Sequence, residues 1–303
     1  MGGTRRIATL LVGVALAACC PAAAAQTSPG DVSPPGANDW SCRPTAAHPN
    51  PVVLVHGTGA TMAWNWPYLS PILKRHGYCV FALTYGRNPD VAPPFDELGG
   101  AIAMERSAAQ LAEFVDRVLA ATGAAEVDIV GHSQGSLMPS YYVKHLGGAA
   151  KVREYVGLTP LWSGTNFLGF ASLAALGRPS GFTAAAERFV AEGGCPSCPQ
   201  FLTGSEFIRK LNAGGGVAVP GVSYTAIMTR YDMLVVPYTS GRMPGARNIV
   251  LQDGCPLDLA DHAAIAFDPI TARHVLNALD PANARAPRCT LVPPGVGAPW
   301  LQP

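Results

Sequence analysis

The chain has 303 residues, 21 Lys and Arg against 20 Asp and Glu, and a formal net charge of +1. Charged residues make up 14 % and hydrophobic residues 49 %, where soluble domains average about 25 % charged. The balance excludes a basic nucleic-acid-binding domain and an apolar-poor disordered chain, and it leaves apolar material for a large core in one or two domains.

Arg5 and Arg6 precede an uncharged run over residues 7–25. Its apolar core covers residues 7–18, shorter than the ~20 residues a membrane span needs. The run reads as a secretory signal peptide over residues 1–25, closed by Ala23-Ala24-Ala25. Two variants stay open: Leu16-Ala17-Ala18-Cys19 has the form of a lipoprotein cleavage box that would lipidate Cys19, and the arginine pair could be a twin-arginine signal. Cleavage after Ala25 removes Cys19 and Cys20 and leaves six cysteines, Cys42, Cys79, Cys195, Cys198, Cys255 and Cys289. An even count in an exported chain reads as disulfides. The loss of Arg5 and Arg6 moves the net charge from +1 to −1.

Residues 26–41 are polar and rich in Pro and Gly, a leader to the domain. Val52-Val53-Leu54-Val55 is a continuous apolar run closed by His56-Gly57, the signature of a strand buried on both faces. Ser70-Pro71 reads as a helix start, with Ser as the cap, and Gly77 as its stop. A second strand is expected over 78–85. Met104, Ala108, Leu111, Val115 and Val118 repeat at helical spacing before Gly123 and predict a long amphipathic helix. A third strand over 127–130 is followed by a helix over 134–146, where Pro139 is tolerable only near the first turns. Further strands are expected over 152–158, 223–228 and 248–251, and Asp268-Pro269 opens a last helix through Leu279. Alternating strands and helices of these lengths argue for a mostly parallel sheet with helices on both faces, an α/β class. Residues 165–216 break the rhythm, Ala/Gly/Phe-rich and strand-poor, and read as a small cap or lid insertion. The catalytic domain is expected over 42–290, with a Pro-rich surface tail over 291–303.

Gly131-His132-Ser133-Gln134-Gly135 is a G-x-S-x-G pentapeptide. By itself it is a weak signal. Between an apolar strand and a helix it reads as a nucleophile elbow, whose sharp turn needs glycine at both ends and lifts Ser133 above the sheet edge. A serine nucleophile needs a base and an orienting acid, in the chain order Ser, acid, His. After Ser133 stand His145, His262 and His274. His145 follows directly behind the elbow and His274 falls within a helix, so His262, in the loop Leu259-Ala260-Asp261-His262-Ala263, is favoured. Asp232 lies just beyond the strand over 223–228, at the edge where open α/β sheets carry their chemistry. Asp253, Asp258 and Asp261 compete for the acid's role. The Gln134 backbone N–H would supply one oxyanion donor, and the turn His56-Gly57-Thr58-Gly59 the second, through Thr58.

These stretches, together with Tyr231-Asp232-Met233-Leu234-Val235-Val236-Pro237, resemble the bacterial class 2 lipases and, more distantly, lipase B of yeasts, both α/β-hydrolases. The resemblance spans residues ~50–290. It implies an α/β-hydrolase fold with Ser133 as nucleophile, Asp232 as acid, His262 as base, and Thr58 and Gln134 as oxyanion donors. Yeast lipase B has Trp in the place of His132 and Pro in the place of His56. The resemblance also implies bridges Cys42–Cys79 and Cys255–Cys289. The remaining Cys195-Pro196-Ser197-Cys198, which could be a redox or zinc half-site, reads as a local disulfide stapling the cap.

Trp64, Trp66, Tyr85, Trp162, Phe167 and Phe170 fall in the edge loops or the cap and are candidates to line an apolar substrate site. Residues 167–176 are apolar nearly all round, a buried helix or a lid that lands on a lipid or polymer surface. The expected function is a secreted serine hydrolase of lipophilic esters with no metal or cofactor and no obligate protein partner. Its rivals are a short-chain esterase, a hydrolase of polyesters such as cutin or suberin, a secreted acyltransferase, and a non-catalytic surface-binding protein.

Overall fold

The computed structural model describes residues 31–177 and 182–303. The expected signal peptide, with Cys19 and Cys20, and the first residues of the leader lie outside the described residues.

Six strands form one sheet: β1 (Val52–Val55), β2 (Val80–Leu83), β3 (Val127–His132), β4 (Val152–Leu158), β5 (Ser223–Met228) and β6 (Arg247–Val250). Their spatial order is β2-β1-β3-β4-β5-β6, and every neighbouring pair is parallel. The order reverses beside β1 and β3, the position where open α/β sheets leave a crevice. Because side chains alternate across a strand, Val53 and Val55 enter one core layer while Val52 and Leu54 enter the other, all 0 % exposed. Each such side chain contributes roughly 1.5–3 kcal/mol relative to exposure.

The first layer is closed by α3 (Met104–Thr122), α4 (Met138–His145) and α7 (Glu206–Asn212), the second by α2 (Leu69–Arg75) and α9 (Pro269–Leu279). Short α1 (Met62–Asn65) precedes α2, α8 (Leu251–Gly254) follows β6, and α5 (Phe170–Gly177) and α6 (Phe182–Glu192) occupy the insertion. Met104, Ala108, Leu111, Val115 and Val118 form the buried stripe of α3, and Gly123 ends it with φ +74°. Asp268 caps α9 by accepting from the Ile270 and Thr271 N–H groups.

Several local expectations need correction. α2 begins at Leu69, and Ser70 is not its cap: its hydroxyl donates to the Pro35 carbonyl, 2.9 Å away, and so tethers the leader. The helix after the elbow is divided. A 3₁₀ turn over Ser133–Ser136 comes first and α4 follows, with Pro139 in its first turn, because a proline lacks the N–H that a helix interior needs. The second strand is shorter than 78–85, since Tyr85 turns away to stack on His56.

Neither end of the domain hangs free. Ala37 pairs with Val80 on the edge strand β2, and the Asn38 side chain brackets Ala82 with 2.9 and 3.0 Å bonds. The leader thereby covers a sheet edge that would otherwise expose unpaired backbone. At the other end, Val292 and Ala298 are fully buried, and the Tyr68 hydroxyl donates to the Leu301 carbonyl at 2.8 Å. The C-terminal segment is anchored at these points, while its Leu291, Val296 and Trp300 side chains stay at the surface.

Candidate active site

β3 ends at His132, and Ser133 follows with φ +56°, the left-handed region that costs an L-residue of order 1–3 kcal/mol and persists only when its surroundings enforce it. The enforcement is steric. A Cβ at Gly131 would sit 1.9 Å from the Gly135 carbonyl oxygen, and one at Gly135 2.1 Å from the Val55 carbonyl oxygen. Only glycine at both positions lets the turn close against β1.

The acid and the base arrive on two loops zipped to one another. Beyond β5 and α8 the backbones of Tyr231 and Asp261 pair in parallel, extending the sheet's last pairing past its edge. The Thr229 hydroxyl donates to the Ala260 carbonyl at 2.5 Å, and Gln252 donates to that hydroxyl at 3.0 Å. This brings Asp232 and His262 together across 30 residues. His262 Nδ1 lies 2.9 and 3.0 Å from the two Asp232 carboxylate oxygens, and its Nε2 2.9 Å from Ser133 Oγ. The Asp232 side chain is 1 % exposed, and its Oδ1 also accepts the Leu234 and Val235 N–H groups at 2.9 and 2.8 Å. A carboxylate held this way orients the imidazole with Nδ1–H toward it and the Nε2 lone pair toward the serine hydroxyl.

The competing residues are engaged elsewhere. Asp253 pairs with Arg230. Asp261 accepts from the Ala263, Ala264 and Gly295 N–H groups. Asp258 is buried beside Asp268, and burial raises the pKa of both carboxyls. His145 packs on Tyr141, and His274 lies within α9.

The turn after β1 faces Ser133: a Cβ on Gly57 would lie 3.1 Å from that of Ser133. His56 braces the turn from below. Its Nδ1–H donates to the Gly57 carbonyl at 2.7 Å, and its Nε2 accepts the Tyr85 N–H at 3.2 Å. Burial pushes its pKa down to about 4, so the ring is neutral at pH 7, as this bonding requires. Gly59 N–H is taken by the Gly99 carbonyl, and Gly99 N–H by that of Ala60. Thr58 is exposed at the rim, and its hydroxyl donates to the Gln134 side-chain oxygen. Gln134 itself is 1 % exposed and follows Ser133 directly.

One element of this frame has no local sequence signal. Asn65, the last residue of α1, accepts the Gly57 N–H at 3.1 Å, and its Oδ1 is 3.0 Å from His132 Nδ1. His132 Nε2 in turn is 2.8 Å from the His262 carbonyl oxygen. Burial lowers the pKa of His132 to about 3. A neutral ring donates through one nitrogen only, so His132 sits between the oxyanion-side turn and the His262 loop with one donor for two acceptors.

Above Ser133 opens a cleft of about 340 Å³, walled by Leu161, Thr165, Phe167, Phe201, Leu234 and Val235. Of the aromatic candidates, Phe167 lines it. Trp66 (0 % exposed), Tyr85 (1 %) and Trp162 (1 %) do not. They are core residues: Trp66 packs in the layer under β1, the Tyr85 hydroxyl donates to the His56 carbonyl, and Trp162 Nε1 donates to the Ser136 carbonyl behind the elbow. Trp64 is 62 % exposed and outside the cleft, because Thr61 caps α1 and turns that face to solvent.

The described cysteines pair as Cys42–Cys79, Cys195–Cys198 and Cys255–Cys289.

A six-stranded parallel sheet, a strained elbow serine and a histidine loop over it define an α/β-hydrolase. Residues 49–274 match the family model for class 2 lipases, and the chain belongs to that family. Among curated proteins it is 34 % identical over 102 residues to a triacylglycerol lipase of Pseudarthrobacter phenanthrenivorans, covering 32 % of this chain and 28 % of that one. A triacylglycerol lipase of Burkholderia plantarii matches at 34 %, over 32 % of this chain and 25 % of its own length. The chain thus spans about a quarter of the curated relatives it matches. Among solved structures, Aspergillus fumigatus lipase B superposes with a TM-score of 0.59 at 18 % identity, over 84 % of this chain and 57 % of that one. Bacillus licheniformis lipase BlEst2 in its propeptide form gives 0.54 at 15 % identity, over 82 % and 54 %. At those identities the likeness is one of fold.

Proposed function

We propose that this chain is a secreted serine hydrolase of lipophilic carboxylic esters, acylglycerols among them, acting through an acyl-enzyme on Ser133. The observation that carries the reading is the unbroken hydrogen-bonded row Asp232–His262–Ser133 opening into an apolar cleft.

In this reading His262 Nε2 takes the Ser133 proton as Oγ attacks the ester carbonyl. The backbone N–H groups of Thr58 and Gln134 hold the developing oxyanion, and the bond from the Thr58 hydroxyl to the Gln134 side-chain oxygen holds the two donor residues side by side. Such donors are each worth roughly 10²–10³ in rate where one has been removed from a serine hydrolase. His262 then protonates the departing alcohol. Water enters, gives its proton to the same nitrogen and releases the acid. Asp232 keeps the imidazole in the productive tautomer and stabilises its cation. Export through the N-terminal segment is supported by three disulfides, which persist in oxidising compartments.

A p-nitrophenyl alkylphosphonate tests the nucleophile. The reading expects one phosphonyl group per chain by intact mass, mapped to the peptide holding Ser133, and no adduct in Ser133→Ala. Labelling at another residue overturns it.

A further inference from the structure

The segment closed by Cys195–Cys198 is joined to the turn after β1 by a continuous row of hydrogen bonds. Ser197, inside that segment, is 0 % exposed. Its hydroxyl donates to the Gly100 carbonyl at 2.5 Å, and its N–H to the Ala101 carbonyl at 3.0 Å. One residue earlier, the chain is laced to the turn itself. Gly59 N–H donates to the Gly99 carbonyl and Gly99 N–H to that of Ala60, both at 2.9 Å. Gly100 has φ +72°, and a Cβ there would stand 3.1 Å from Thr58 Cα and 3.1 Å from the Gln134 side-chain oxygen. The backbone that Ser197 grips therefore lies against both residues taken above as oxyanion donors.

The turn needs such a hold. Thr58 stands between two glycines, Gly59 with φ +69°, and glycine widens the choice of backbone conformations. Oxyanion donors act by being in place before charge develops, and catalytic groups must be held to within about 0.5 Å. His56 braces the turn from below, and residues 99–101 brace it from the side of the insertion. The N–H groups of Gly100 and Ala101 go to the Tyr85 and Gly86 carbonyls, at 2.7 Å each, and their carbonyls go to Ser197. Ser197 is itself fixed. Gln200, whose N–H donates to the Ser197 carbonyl, accepts the Met104 N–H and donates to Glu105 at the start of α3, both at 2.7 Å. The Cys195–Cys198 bridge closes a separation of 3 residues, so it constrains the unfolded chain least of the three bridges. Its effect is local, on the turn that presents Ser197.

We propose that Ser197 is a positioning residue for the reaction: through Gly100 and Gly99 it holds the turn that carries Thr58, and the Cys195–Cys198 bridge holds Ser197. The catalytic consequence rests on the ester-hydrolase reading. Loss of the clamp leaves Asp232, His262 and Ser133 in their row and the cleft walls in place. It loosens a donor that acts on the charge of the transition state. The cost therefore falls on kcat, while KM stays near its wild-type value.

Wild type, Ser197→Ala and the double variant Cys195→Ala/Cys198→Ala are compared, with thermal melts to establish folding. Hydrogen–deuterium exchange read by mass spectrometry follows the hold itself. Peptides over residues 56–61 are expected to exchange about tenfold faster in both variants, with those of α9 unchanged. Kinetics on p-nitrophenyl butyrate follow the consequence. In Ser197→Ala kcat is expected to fall about tenfold, with KM within about twofold of wild type. The inhibition constant of butylboronic acid, whose tetrahedral adduct on Ser133 puts an oxygen at the oxyanion position, is expected to rise by a similar factor. A folded Ser197→Ala that melts earlier yet keeps wild-type kcat has lost packing alone and overturns the proposal, as does a loss confined to KM. Should Ser197→Ala not fold, the double variant decides by the same readouts. If wild type hydrolyses no p-nitrophenyl ester, the catalytic reading fails by itself and exchange decides the clamp: faster exchange over 56–61 in the variants supports it, and unchanged exchange rejects it.

Discussion

Asp232, in the loop after β5, and Asp253, in α8 after β6, stand 21 positions apart, and the bonds each makes separate their roles. Asp232 is buried, accepts two backbone N–H groups and faces His262 Nδ1; Asp253 is over half exposed and faces Arg230. Asp232→Asn is expected to lower kcat by roughly 10⁴-fold, the cost of presenting the wrong imidazole tautomer in serine proteases. Asp253→Asn removes a surface ion pair worth roughly 0–1 kcal/mol and leaves kcat near that of wild type. Steady-state kinetics on a soluble ester, with both proteins shown to be folded, checks the pair. The three residues of the row were legible in the sequence because chemistry restricts residue type, chain order and position beyond a strand. Asn65 was not, because its two partners, Gly57 and His132, are brought to it by tertiary contact alone. The tryptophans misled for a related reason: Trp66 and Trp162 sit in edge loops by sequence, yet the chain folds back over them.

At the scale of elements, the strands and long helices were readable because periodicity reports burial, and α3 follows its stripe residue by residue. Helix starts were less so. The Ser70 hydroxyl could cap α2 or tether the leader, and only the leader's position decides between them. The segment carrying His262 adds a property that sequence alone does not reveal. Asp258 and Asp268 are both fully buried at its two ends, and burial first, then their mutual repulsion, raises Asp258 to about 7. A carboxyl whose folded pKa lies above its unfolded value contributes stability below the unfolded value, near 3.8, and loses it as pH rises through the folded one. This contribution is therefore expected to decline between about pH 4 and pH 7. Asp258→Asn cannot acquire the second charge, so its Tm should gain on wild type as pH is raised from 5 to 8. Parallel Tm curves for the two proteins would show that the pair does not govern this segment.

Over the whole molecule, the segments at both ends of the described residues act as straps. The leader covers the edge of β2, and the C-terminal segment crosses under the His262 loop. There the Leu259 N–H donates to the Val292 carbonyl at 2.9 Å, Gly295 donates to Asp261, and Cys289 bonds Cys255. Reading residues 291–303 as a surface tail followed from their proline content, which reports a lack of regular structure and not a lack of contacts. The Cys255–Cys289 bridge closes a sequence separation of 34 residues. Replacing both cysteines by alanine is expected to cost roughly 3 kcal/mol and to lower Tm by about 10 °C in a domain of this size. Calorimetry reads that loss, and a Tm unchanged within error would mean that the packed strap holds the loop without its covalent link. Within residues 165–216, Phe167 and Phe201 line both the cleft over Ser133 and a half-open apolar pocket beside it. All of it presupposes that Ser133 is the reacting group. Hydrolysis of p-nitrophenyl butyrate by the wild type and by Ser133→Ala tests that most directly: turnover by the wild type and a loss of at least about 10⁴-fold in kcat for the variant are expected, whereas an inactive wild type, or a variant that keeps its full rate, would contradict the role of Ser133.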